Sequence, residues 1–182
     1  MKKTIEWVFL LLETEEEEMI FVEENNEKDR PWKRQGQYFF PAGTKEDEES
    51  LEKTIDREFE EETWLNGAAT IIEKTLKKIW ELLLETEEYL LKANVYTWKI
   101  PWDTKIKEHK FNSHEIKKII IDHPNNLLNT ELTMIRPWLI EALLLKEGIP
   151  CKEVVFIENW VYKDTIWTKN KIEQLQQLYL QK

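Results

Sequence analysis

The chain has 182 residues, enough for one domain or one domain with an appendage, and 41% are hydrophobic, which supports a buried core. Its net charge of −10 gives no broad attraction to a nucleic-acid backbone, which disfavours long nucleic acid as a partner. Cys151 is the only cysteine, so no intrachain disulfide can form, which suits a reducing cytoplasm.

The first apolar run, Ile5 to Leu12, contains Glu6 and is too short to span a membrane; it lacks a small-residue cleavage site and reads as a buried strand. Residues 19–23 (MIFVE) form a second strand, and residues 24–36 a polar loop around Pro31. QYFF (37–40) is a short strand ended by Pro41. Ser50 is a helix N-cap, and Leu51, Ile55 and Phe59 recur every four residues as one apolar stripe, predicting a helix to about Trp64 or Leu65. Residues 68–85 suit either helix or strand; a strand pairing with 89–100 across the acidic turn Glu85–Glu88 is the reading adopted. Pro101 to Ser113 is a loop, and residues 115–121 are a strand. Residues 129–148 predict a helix kinked at Pro137 and stopped by Gly148. An extended stretch over 153–162 and an amphipathic helix near 168–181 complete the chain, the latter with Ile172, Leu175 and Leu178 on one side. Strands, helix, strands, helix is the order of an α/β protein with a mixed sheet covered on both faces.

The acidic charge is concentrated. Between Gly43 and Trp64 ten acidic residues stand against three basic ones. On a helix Glu58, Glu61 and Glu62 lie at i, i+3 and i+4 and share a face opposite the apolar stripe. Two readings follow: a solvated charge run, or oxygen donors converging on a hard divalent cation such as Mg²⁺.

Gly43, five residues, Glu49, seven residues, then Arg57-Glu58-Phe59-Glu60-Glu61-Glu62 resembles the Nudix box, G-x5-E-x7-R-E-U-x-E-E-x-G-U, with U a bulky aliphatic residue. Every charged position is filled. Phe59 takes the first U, Leu65 the last, and FPAG (40–43) is similar to the family's entry to the box. Trp64 stands where the second glycine belongs, so the helix is expected to run on to Asn66-Gly67. The match is strong over 39–65 and weaker over about 4–146.

The resemblance implies a Nudix-type α/β/α sandwich over residues 1–148, with 149–182 as a C-terminal extension. It implies a Mg²⁺-dependent (or Mn²⁺-dependent) hydrolase of nucleoside diphosphate-linked compounds. Glu58, Glu61, Glu62 and the Gly43 carbonyl would hold metal, and Arg57 and Glu49 would pair to orient the ligands. Glu58 or Glu115 would take the proton from water, with Glu108 as a substitute for Glu115. Lys33 and Arg34 stand where the family often reaches substrate phosphate, or form a solvated loop. Trp32 and Trp102, in loops, are candidates for stacking a base. His109, His114 and His123 lack the spacing of a helical metal pair and read as surface residues. The box has no downstream proline before Pro101, against an ADP-ribose hydrolase, and its first following tyrosine is Tyr89, too distant for the dinucleoside polyphosphate pattern. By elimination the substrate expected is a nucleoside or deoxynucleoside triphosphate, with dinucleoside polyphosphates or capped RNA ends next. A non-catalytic nucleotide-binding module is the alternative class. Residues 149–182 carry too much apolar surface for a free tail; a homodimer interface is expected, or else a wall of the substrate cleft.

Overall fold

In the computed structural model, residues 2–25, 34–63, 76–85, 89–100, 116–151, 157–158 and 160–181 are described. In chain order the elements are β1 (Lys3–Glu13), β2 (Met19–Glu24), β3 (Tyr38–Phe39), β4 (Ala42–Thr44), α1 (Leu51–Thr63), β5 (Lys77–Glu85), β6 (Tyr89–Lys99), β7 (Ile116–Asp122), α2 (Pro124–Leu128), a 3-10 turn (Leu132–Met134), α3 (Leu139–Lys146), β8 (Ile157–Glu158), β9 (Val161–Tyr162) and α4 (Ile166–Leu180). They form two compact units: Met1–Glu15 with Phe40–Lys107, and Glu16–Phe39 with Glu108–Lys182.

The first unit is built on β1, whose residues 7–12 are all buried. Such an unbroken apolar run belongs to a strand covered on both faces. One edge of β1 pairs antiparallel with β4 and the other parallel with β6, and β5 is antiparallel to β6, so this sheet is mixed. The strand reading of residues 77–85 is thereby borne out. Trp98 is in the core, edge-to-face with Phe59 of α1 at 5.9 Å between centroids. Trp80, on β5, is 45% exposed.

In the second unit β2 pairs antiparallel with β3 and β7. The expected kinked helix over 129–148 is not one helix. The chain makes a 3-10 turn, passes Pro137, and Trp138 takes a left-handed backbone with φ 79° before α3 starts at Leu139. The proline and the reversed φ end one segment and re-aim the next, where a kink would have preserved it. Residues 139–145 are all buried, so α3 is enclosed all round, with Glu141 the one acid among its buried residues. It stops as expected at Gly148, with φ 74° and the bonds Ile149 N–H to Leu144 O (2.8 Å) and Gly148 N–H to Leu145 O (3.0 Å) of a Schellman motif.

Two elements carried no expectation. β4 has only three residues. α2 opens with Pro124 at its first position and is capped by His123, whose ring nitrogen accepts from Asn125 N–H at 3.3 Å.

Residues 160–181 pack on the rest of the second unit. The fully buried Gln37 side chain donates to Trp160 O at 3.1 Å. The Tyr162 hydroxyl donates to the Glu141 carboxyl and accepts from Ile140 N–H at 3.2 Å. On α4 the buried line is Thr168, Leu175 and Tyr179, with Ile172 and Leu178 only half-buried beside it. Tyr179 meets the His123 ring edge-on at 5.6 Å, and Gln176 donates to Asn129 Oδ1 at 2.8 Å.

Candidate functional site

Ser50 starts α1, its hydroxyl accepting from Lys53 N–H at 3.3 Å. The helix buries Thr54, Ile55, Glu58 and Phe59. The buried stripe is therefore wider than the i, i+4 pattern of apolar residues, and it includes a carboxylate. Glu58 keeps only 7% of its surface, whereas the Glu61 side chain is 61% exposed. The acidic face expected to look outward is thus split: Glu58 borders the core and Glu61 stands in solvent. Glu62 lies in α1, with its side chain outside the described residues.

Gly43 explains how Glu58 fits. It sits on β4 opposite Val8, on the sheet face that α1 covers. A Cβ at this position would coincide with the Glu58 carboxylate. Glycine is required here for close approach, since its φ is not in the left-handed range. The flanking bonds Lys45 N–H to Glu6 O (2.8 Å) and Leu10 N–H to Pro41 O (2.9 Å) make Val8 and Gly43 a hydrogen-bonded pair. The Gly43 carbonyl is therefore directed at Val8; what Gly43 supplies to the carboxylates is space.

Arg57 is the hub. Its Nε and Nη2 donate to Glu49 Oε1 and Oε2 at 3.2 and 3.1 Å, a two-pronged pairing. Nη2 also donates to Thr44 O at 3.0 Å, and Nη1 to Glu58 Oε1 at 2.6 Å. Glu61 Oε2 lies 3.5 Å from the same Nη1. Glu49 reaches this position because residues 46–49 turn tightly, with Glu48 at φ 66°, and Glu46 N–H donates to Glu49 Oε2 at 3.1 Å. The Arg57 guanidinium, assisted by the Glu46 amide and the Thr54 hydroxyl, holds the Glu49 carboxyl down at about 2. The carboxylates in turn push the Arg57 pKa above its ordinary value.

Four of the expected residues, Glu49, Arg57, Glu58 and Glu61, are thus joined through one guanidinium, with Gly43 beneath. Arg34 is exposed in the second unit, its N–H donating to Gln37 Oε1 at 3.0 Å. Glu115, Glu108, Trp32, Lys33, Trp102, His109, His114 and the helix stop at Asn66-Gly67 lie outside the described residues. Thr44 and Thr54 also belong to the hub, through the Thr44 carbonyl and the Thr54 hydroxyl, and neither occupies a charged box position. The one hint of this in the sequence was Thr54 itself, a β-branched polar residue beside the apolar stripe of the helix.

The donor chemistry suits a hard divalent cation: every candidate ligand offers oxygen, and the Gly43 cradle fixes one carboxylate. Among the described residues, no three His, Cys, Asp or Glu side chains close into a metal-holding group. Glu58 and Glu61 would provide two of the ligands, and Glu62 would be the third.

The site is thus a carboxylate-bearing helix packed over a glycine strand, its acids gathered by one arginine. The chain belongs to the Nudix family: the NUDIX domain model matches residues 3–136. Nudix domain proteins are pyrophosphohydrolases that act on phosphoanhydride bonds, generally in nucleoside diphosphate derivatives and with a divalent metal. Solved structures agree on the fold, an α/β/α sandwich with a mixed sheet. The NUDIX domain of Shewanella oneidensis NrtR, complexed with ADP ribose, is 15% identical over 81% of this chain and 89% of its own, with a TM-score of 0.59. A NUDIX hydrolase from Nitrosomonas europaea is 14% identical over 85% and 98%, with a TM-score of 0.58. The E. coli ORF135 protein is 19% identical over 83% and 96%, with a TM-score of 0.53. Comparison with curated proteins finds no match.

Proposed function

We propose that the protein is a cytoplasmic, Mg²⁺-dependent pyrophosphatase of nucleoside or deoxynucleoside triphosphates, releasing monophosphate and pyrophosphate, with Mn²⁺ as a substitute metal. The observation that carries this is the arginine hub: Arg57 joins Glu49, Glu58 and Glu61 over the Gly43 cradle with all charged box positions retained. A binding module with no chemistry to perform has no need to keep them all. No helix among the described residues is long and apolar enough to cross a membrane.

Glu58, Glu61 and Glu62 are the carboxylate ligands in this reading, and Gly43 contributes its carbonyl's second lone pair at most. Bound Mg²⁺ would neutralise the diphosphate and acidify a bound water. The residues do the rest. The Glu49–Arg57 pair fixes Glu58 in place, so that little reorganisation is needed when charge develops at phosphorus. Glu58 or Glu115 accepts the proton of the attacking water, a phosphorus–oxygen bond forms in line, and the anhydride oxygen leaves with the pyrophosphate. Lys33 and Arg34 reach substrate phosphate, and Trp32 and Trp102 stack the base. Residues 1–148 are the catalytic domain and 149–182 its extension, with Ile166 and Leu180, 80% and 74% exposed, as apolar surface for a second copy.

The test is a panel of nucleoside triphosphates, dinucleoside polyphosphates, capped RNA and ADP-ribose incubated with Mg²⁺, products identified by mass. Monophosphate plus pyrophosphate from a triphosphate is expected. Excess chelator and Glu62→Gln should each reduce turnover by at least about 100-fold. Cleavage of another panel member would move the substrate class, and tight binding without cleavage would make the protein a nucleotide sensor.

A further inference from the structure

We infer that Thr54 is a positioning residue of the carboxylate site, acting through Glu49 and Arg57. Its side chain is fully buried inside α1. The hydroxyl lies 2.9 Å from Glu49 Oε2 and 3.1 Å from the Ser50 carbonyl. A mid-helix threonine ordinarily bonds back to the carbonyl four residues earlier. Here the competing acceptor is a carboxylate, nearer and charged, and charge-assisted bonds are the stronger kind. A hydroxyl has one proton, so the Glu49 bond takes it.

Glu49 Oε2 then accepts from three directions: the Thr54 hydroxyl, Glu46 N–H at 3.1 Å and Arg57 Nη2 at 3.1 Å. Three donors fix the plane of the carboxylate. That plane sets the fork formed by Arg57 Nε and Nη2, and the fork leaves Nη1 aimed at Glu58. Thr54, Arg57 and Glu58 stand at i, i+3 and i+4 on one helix, so the loop closes within about one turn. Without the hydroxyl, Glu49 can rotate about its long side chain and take Arg57 with it.

Only the kinetic part of the test rests on the hydrolase reading. Thr54→Val keeps the shape and removes the donor; Thr54→Ser keeps the donor and removes the methyl. In ¹⁵N spectra of the full chain, the Arg57 Nε–H should exchange slowly with water in the parent protein and in Thr54→Ser, and rapidly in Thr54→Val. With a triphosphate and Mg²⁺, Thr54→Val should lose about tenfold in kcat, the size of effect for one hydrogen bond to a charged group, with KM within twofold; Thr54→Ser should recover it. An unchanged Arg57 Nε–H in Thr54→Val, or equal impairment in both variants, overturns the assignment. If the parent protein cleaves no nucleotide, the hydrolase reading fails while the Arg57 signal still decides the role of Thr54.

Discussion

Gly43 and Glu58 show how much one missing atom can decide. The group a Cβ would displace is the far end of a flexible side chain, which can swing aside. Gly43→Ala should therefore fold, with its Tm within a few degrees of the parent, while Glu58 loses its seat and kcat falls by about 100-fold or more. Loss of folding instead would show that the backbone cannot adjust. Glu141 offers a second test of a single residue. It is buried with one carboxyl oxygen unpartnered, and desolvation pushes its pKa up to about 7 from 4.5, against the opposing bond from Tyr162. Its folded pKa lies above its unfolded one, so the unfolded chain ionises first. The stability it contributes is complete below pH 4.5, declines between 4.5 and 7, and is gone above. The ceiling is on the order of 3 kcal/mol. Thermal unfolding of Glu141→Gln should match the parent at pH 4 and exceed it at pH 8; a constant difference between the two would remove the titration. The box positions were readable from sequence because their chemistry is tied to spacing. The burial of Glu58, the direction of the Gly43 carbonyl and the part played by Thr54 were not, because each depends on which face of α1 meets β4.

Elements were legible where they carried a long periodic signal. The runs 5–12, 19–23, 89–100 and 115–121 read as strands and are strands over their described residues, except that β6 ends at Lys99, one residue short of Ile100. β4 was missed because three residues after a proline hold no period. Residues 129–148 were misjudged because an apolar run shows no break where a buried tryptophan reverses its φ. The end of that segment was legible, since glycine after a helix is a strong signal. It also gives a clean backbone test. A Cβ on Gly148 would meet nothing within 4 Å, so Gly148→Ala costs only the left-handed conformation, about 1 kcal/mol. Calorimetry should show a correspondingly lower Tm with kcat and KM unchanged. A change in kinetics would mean that α3 reaches the site.

At the scale of the whole molecule, the described part of residues 149–182 packs within its own unit. Leu175 and Tyr179 are buried there and Tyr162 holds Glu141. Truncation after Gly148 would strip the buried α3 of its cover and leave Glu141 buried without a partner. The shortened chain should be insoluble or lose the cooperative unfolding of the second unit, as followed by circular dichroism. Sedimentation velocity of the full chain tests assembly: the proposed homodimer should dissociate when Ile166 and Leu180 are replaced by serine, and a monomeric parent protein removes it.

The interleaving of the two units fixes an order of events on the ribosome. The unit with the carboxylate helix is complete once Lys107 has emerged. The other begins with Glu16 yet draws core residues from as late as Tyr179. Strand β2 is synthesised well before β7, its antiparallel partner at Ile116–Asp122. Until β7 follows, that edge of β2 lacks its partner, which is when contacts distant in sequence are most vulnerable to aggregation. A holdase acting on the nascent chain would find its binding site there, and a late frameshift would leave the Arg57 hub intact on a protein that cannot finish folding.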